Sequence, residues 1–186
     1  MAKNTHLTHL EDRIILDGVR GGKDAIKLLE DMGQRLAGKK GMGIQLTTKW
    51  DGAPAIICGI DPADGQFFVG TKSVFSKEPK ICKTEQDIQR LYSGALAQKL
   101  AAALRYLPSS VKSGVLQGDL MFTNDKKREK IDGKMFTTFR PNTITYASDP
   151  TSPLGREIDR AKIGIVFHTK YQGETLAQMS ASFGVQ

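Results

Sequence analysis

With 186 residues, 39% of them hydrophobic and 25% charged, the chain has apolar material for one ordinary core, and its charge is too evenly spread for wholesale disorder. A formal net charge of +7 suits a polyanionic partner such as nucleic acid, without selecting one. Two cysteines, Cys58 and Cys82, exclude a disulfide framework and a cysteine zinc site, and no apolar run reaches the ~18 residues of a membrane span. With no secretory signal pattern at the start, the expectation is a cytoplasmic protein without membrane association.

Thr8 and Glu11 stand three apart ahead of Ile14, Ile15 and Leu16, a capping-box spacing for a short helix that Gly18, Gly21 and Gly22 then break. Asp24 is placed to cap a second helix, in which Ile26, Leu29, Met32 and Leu36 keep a helical spacing until Gly38 and Gly41. Residues 1–43 therefore read as a helical lead-in to a second region, 44–186. From Ile44 the pattern turns to strand, over 45–49, 55–58 and 66–69, the last two joined by the turn Pro62-Ala63-Asp64-Gly65. Residues 84–107 carry one long apolar stripe, including Ile88, Leu91, Leu100 and Leu104, and read as a single helix stopped by Pro108.

Further strands are expected over 114–122, 135–138, 143–146 and 163–168. Between the first two, Lys126-Lys127-Arg128-Glu129-Lys130 reads as a solvated loop able to touch phosphates through charge. The tail after the last strand has no evident closing element. Helix, hairpin, helix and then strands make an α+β domain with a largely antiparallel sheet. His6 and His9 share a helix face, but no further ligands complete a zinc site.

The segment with the most chemical content is Thr47-Thr48-Lys49-Trp50-Asp51-Gly52-Ala53-Pro54, where a lysine runs into an Asp-Gly turn and the chain returns as a hairpin. On its own this is a four-residue pattern, and a surface hairpin lysine satisfies it equally well. It resembles the Lys-x-Asp-Gly motif of the covalent nucleotidyltransferases, the superfamily of DNA ligases, RNA ligases and mRNA capping enzymes. Three later segments match that superfamily in order. Gly70-Thr71-Lys72-Ser73 follows the hairpin, where the family has a basic or hydroxylic residue by the nucleotide; strand residues Phe67-Phe68-Val69 exclude a P-loop reading there. Gln117-Gly118-Asp119-Leu120 is similar to the Gly-Glu-Leu strand, with a shorter carboxylate. Ile165-Val166-Phe167-His168 resembles the family's aromatic strand, with His168 in place of an Asp.

The resemblance implies a sheet core of the ATP-grasp-like, ligase-adenylation type and an ATP- and Mg²⁺-dependent reaction through a lysyl-AMP. Lys49 would be the nucleophile, Asp51 and Gly52 would shape its turn, and Lys72 would lie by the phosphates. Asp119 would bind ribose or the metal, and Phe167 would stack on the base. The partner would be RNA or DNA with a 5′-phosphate to seal. The family's later Glu-Gly strand and final lysine pair have no counterpart here, so the region is expected to be C-terminally incomplete. His9-Leu10-Glu11-Asp12, Phe139-Arg140-Pro141-Asn142-Thr143-Ile144 and His168-Thr169-Lys170-Tyr171 also resemble an uncharacterised ligase-like family of tailed phages. The rival expectations are a noncatalytic nucleic-acid-binding module and a phage structural protein with a degenerate ligase fold.

Overall fold

The computed structural model describes residues 9–39, 48–183 and 185. They fall into two compact units that divide between Lys49 and Trp50.

The smaller unit is built on helix α1 (Asp12–Leu36). The expected break at Gly18 is present as a kink, with φ 55° and ψ −133°, but the helix resumes directly. Gly21 permits this: a Cβ there would lie 1.9 Å from the carbonyl oxygen of Arg13. Asp24 therefore sits inside the helix and caps nothing, because one or two helical glycines cost only about 1 kcal/mol each and the flanking residues sustain the helix. The backbone N–H of His9 donates to Asp12 Oδ2 at 2.9 Å; the Thr8 end of the expected capping box lies outside the described residues. The strand expected over 45–49 falls mostly outside them too, and Thr48 and Lys49 are exposed and irregular.

The larger unit contains strands β1 (Ala55–Ile60), β2 (Phe67–Gly70), β3 (Val115–Phe122), β4 (Lys127–Ile131), β5 (Lys134–Phe139), β6 (Tyr146–Ser148), β7 (Gly164–Gln172) and β8 (Ser180–Phe183). Helices α2 (Glu85–Leu91), α3 (Gly94–Tyr106) and α4 (Pro153–Arg160) complete it. One sheet has the order β2-β1-β3-β7-β8 and the other β4-β5-β6, with every pairing antiparallel. The molecule is α+β, as composition and pattern imply.

The β1–β2 hairpin closes at the predicted turn, where Gly65 at φ 73° donates its N–H to the carbonyl of Asp61 at 2.8 Å. Lys83 Nζ pairs with Asp61 at 2.6 Å and Asp64 at 2.7 Å beneath it. The apolar run Ile56-Ile57-Cys58 is buried on both faces of the sheet. Ile56 and Cys58 join Leu100, Ala103 and Ile88 under α2 and α3, while Ile57 joins Phe68, Val115, Tyr171 and Met179 on the other face. Both thiols are inert core groups: burial pushes Cys58 up to about 12 and Cys82 to about 11.

Four expectations need correction. The single helix over 84–107 is two, because Tyr92 and Ser93 are extended and Gly94 takes φ 61°. The charged run at 127–131 is strand β4, fully exposed yet hydrogen-bonded along β5, so backbone pairing holds it where no side-chain pattern could signal it. The strand expected over 143–146 begins only at Tyr146, since Thr143 and Ile144 spend their N–H groups on a side chain. The last strand runs on to Gln172 and is followed by β8, which pairs with it. Helix α4 was not anticipated, although Ser152 and Pro153 are a legible cap and first-turn pair; Ser152 Oγ accepts from the Gly155 N–H at 3.0 Å.

Candidate functional site

The segment Trp50–Pro54 enters β1 from a turn that Asp51 and Trp50 tie to residues 142–146. Asp51 Oδ1 accepts from Asn142 Nδ2 at 2.8 Å, and Oδ2 accepts from the backbone N–H groups of Thr143 at 2.9 Å and Ile144 at 3.1 Å. The Asp51 N–H itself donates to the Tyr146 hydroxyl at 2.8 Å. Trp50 lies against the Tyr146 ring, with centroids 5.5 Å apart, and Tyr146 stacks in turn on Phe139 at 5.5 Å. Asp51 is thus a clasp that ties the turn to the β5–β6 connection. A carboxylate holding several N–H donors in fixed directions is well suited to positioning a chain, since charge-assisted bonds are the strong ones.

Gly52 comes next, and here two of the sequence motifs meet. A Cβ on Gly52 would lie 2.6 Å from Asp119 Cβ, 3.0 Å from the carbonyl oxygen of Leu120 and 3.0 Å from Met121 Sδ. Only glycine lets the turn lie on β3 at this point. The chain is then pinned by Ala53 N–H donating to Leu120 O at 3.0 Å and Leu120 N–H donating to Pro54 O at 3.1 Å, across a cis Ala53–Pro54 bond. Lys99 Nζ, on α3, donates to Ala53 O at 3.3 Å.

Asp119 stands opposite Ala55 in the register, a quarter exposed. His168 Nε2 lies 3.6 Å from its Oδ1, and His168 Nδ1 is 2.8 Å from Thr169 Oγ1. The β3–β7 register explains this contact: Gln117 pairs with Thr169 and Gly118 with Phe167, so His168 is the extra residue of a β-bulge and swings to the Asp119 face. The same register sends Phe167 the other way. It pairs with Gly118, where a Cβ would lie 2.9 Å from the Phe167 ring, and it packs with the helix-side core. Asp119 and Phe167 are on opposite faces of the sheet.

Lys72 is exposed at the start of a short 3₁₀ turn (Lys72–Phe75) just past β2. Since Gly70 pairs with Ile57 and Ala55 with Asp119, β2 leaves the sheet at the end where β1 enters and where Asp119 sits. Beside Lys72, the hydroxyls of Thr71, Ser73 and Tyr92 converge, with Ser73 Oγ 2.8 Å from Tyr92 OH and 2.9 Å from Thr71 Oγ1. The break between α2 and α3 delivers Tyr92 to this cluster.

The structure therefore brings Asp51, Gly52, Asp119 and the strand leading to Lys72 to one end of the five-stranded sheet, and it does not bring Phe167 to the Asp119 face. Lys49 is exposed and precedes Asp51 by two positions in the chain. Sequence reading missed the partners Asn142, Thr143, Ile144 and Tyr146, and the pairing of His168 with Asp119. Among the described residues no group of three or more His, Cys, Asp or Glu side chains could hold a metal ion. Asp119 fits the role of a single protein ligand to Mg²⁺, which commonly takes one carboxylate and completes its shell with substrate phosphates and water.

Residues 4–186 match a family described as a family of unknown function, DUF6267. The chain belongs to the DUF6267 family. No curated protein and no solved structure matches it. The Lys49 turn, the Asn142 clasp and the Asp119–His168 pair all lie within the stretch that matches DUF6267.

Proposed function

We propose that the chain is a ligase-like nucleotidyltransferase that forms a covalent lysyl-AMP at Lys49 from ATP and passes the AMP to the 5′-phosphate of a polynucleotide, RNA or DNA, before sealing. The observation that carries this reading is the apposition of Gly52 and Asp119, two motif residues far apart in the chain, at one end of an antiparallel sheet.

In this reading Nζ of Lys49 attacks the α-phosphorus, a P–N bond forms, the bond to the β-phosphate oxygen breaks, and pyrophosphate leaves. Nζ loses its proton to solvent. The strand's 5′-phosphate oxygen then displaces the lysine, and the adjoining 3′-hydroxyl finally displaces AMP. Mg²⁺, when bound, neutralises the polyphosphate and polarises the phosphorus under attack. Asp51 fixes the turn through Asn142, Thr143 and Ile144, Gly52 keeps the turn on β3, Asp119 takes the ribose hydroxyl or the metal, and Lys72 meets phosphate charge. Base stacking is assigned away from Phe167, because one nucleotide reaching Asp119 would not also reach the helix side of the sheet. Trp50, which is 41% exposed beside Tyr146, is the aromatic face next to the turn.

That orientation of Phe167 also favours a second reading, a nucleic-acid-binding protein that retains the fold with a degenerate site. Incubation with α-labelled ATP and Mg²⁺ separates the two. The proposal expects label on the parent chain that survives denaturing electrophoresis and alkali and is released by acid, as a P–N bond requires, with none on Lys49→Ala and little on Asp119→Ala. Absence of label on the parent leaves the binding reading.

A further inference from the structure

The larger unit carries two grooves that the adenylation chemistry does not use. One, of about 530 Å³, runs between α3 and the connection after β3, and its walls hold Lys99, Arg105 and Lys162 together with Tyr106. The other, of about 400 Å³, lies over the three-stranded sheet, with Lys127, Arg140 and Thr138 in its walls. Asp125 lines both, so the grooves meet at that residue.

We infer that the joined grooves form the track for the sugar–phosphate backbone of a single polynucleotide strand; assigning that strand as the ligase substrate rests on the function proposed above. Five cations line the track against three acids, Glu85, Asp125 and Glu129. Two of those acids are already engaged: Asp125 Oδ1 accepts from the Thr123 N–H at 2.8 Å, and Glu129 Oε2 accepts from the Thr138 hydroxyl at 2.7 Å. Arg105, Lys127, Arg140 and Lys162 are all exposed, which leaves their charges available to phosphates. Between them stand neutral donors such as Gln98 and Asn124, and Tyr106 offers a ring with the Arg105 guanidinium 5.6 Å from its centroid. Spaced cations, amide donors and an aromatic face suit a strand with phosphates, sugars and bases better than an acidic peptide.

Each groove has a wall residue tied to the Asp-Gly turn or close in the chain to one that is. In the first groove Lys99 donates to Ala53 O, and in the second Arg140 is two residues from Asn142, which holds Asp51. A strand along this path would arrive beside the residues that follow Lys49 in the chain.

The test compares two variants with the same charge change, Arg105→Glu with Arg140→Glu on the track, and Lys112→Glu with Lys170→Glu, which line neither groove. All four positions are exposed, and equal urea midpoints would establish that both variants fold. A fluorescently labelled single-stranded RNA oligonucleotide, and the same sequence as DNA, are titrated across a range of salt. The track variant should bind at least about tenfold more weakly and lose about 0.7 from the slope of log K against log salt for each contact removed, while the control pair changes little. Equal weakening of both variants, or no binding by the parent, overturns the track. The labelling reaction with ATP is read in parallel. Binding that depends on the track without any lysyl-AMP sinks the ligase reading and leaves the track, whereas lysyl-AMP with binding indifferent to Arg105 and Arg140 sinks the track alone.

Discussion

The two sheets of the larger unit are held together by different means. In the five-stranded sheet, Ile56, Ile57 and Cys58 of β1 are completely inaccessible, with an apolar cluster on each face. In the three-stranded sheet every residue of β4 is exposed. What secures that sheet is one small apolar cluster, Met121, Phe122 and Phe139 with Tyr146 and Ile158, and a few directed contacts: the Asp51 clasp and the ion pair of Arg128 with Asp159. Lys126 adds to these by donating to the Ile158, Asp159 and Ala161 carbonyls at the end of α4. Apolar burial gives the first sheet stability that is shared over many residues. The second depends on a few, so damage to it should remain local.

Substitutions ranked by expected effect put this contrast at risk. Leu100 is fully buried under the five-stranded sheet, and Leu100→Ala should lower global stability by about 2–5 kcal/mol in urea unfolding; a shift under 1 kcal/mol would mean the helix-side core is not the main support. Asp51→Ala should cost less, about 2 kcal/mol, and the loss should be local, with amide exchange at Thr143 and Ile144 accelerating ahead of β1 and β3. Uniform acceleration across both sheets would erase the distinction between them.

A smaller, pH-dependent effect is expected at the start of α2. There the Thr84 hydroxyl, then the Lys83 and Thr84 N–H groups and Arg90, hold the Asp87 carboxyl below its usual range in a capping box. A carboxyl depressed in the folded state stabilises above its unfolded value near 4 and ceases to do so as pH falls through the folded value. Asp87→Ala should therefore cost about 1 kcal/mol at pH 7 and progressively less as pH falls through the folded value, read as the difference in melting between neutral and acid conditions. At the bottom of the scale, Lys130→Ala on β4 should change stability by no more than about 0.5 kcal/mol, and a larger loss would give that exposed strand an unrecognised partner.

The parts of the fold legible in the sequence were those in which local chemistry and tertiary structure agree. Asp64-Gly65 closes the hairpin it signals, and the largely apolar segment 115–122 is a mostly buried strand. The interruption at Tyr92 and Ser93 was hidden because the apolar stripe keeps helical spacing across it, and the contact that uses Tyr92 lies far away at Ser73. Strand β4 was illegible because all its side chains are exposed and carry no alternating apolar pattern, while its pairing with β5 rests mainly on the backbone ladder. In the site, Lys49, Asp51 and Gly52 could be singled out from a contiguous motif, whereas the acceptor role of Asp51 depends on residues about 90 positions away. The face on which Phe167 lies was beyond reach, since the next residue, His168, is the bulged residue of β7, and strand parity cannot be read through a bulge that the sequence does not mark.

The central claim is that Lys49 carries the nucleotide. Peptide mass spectrometry after incubation with ATP and Mg²⁺ tests it most directly. The account predicts a peptide heavier by one adenylyl group, with fragmentation assigning the addition to Lys49 and with pyrophosphate reversing it. An unmodified Lys49 peptide, or an adenylyl group on another lysine, would contradict it.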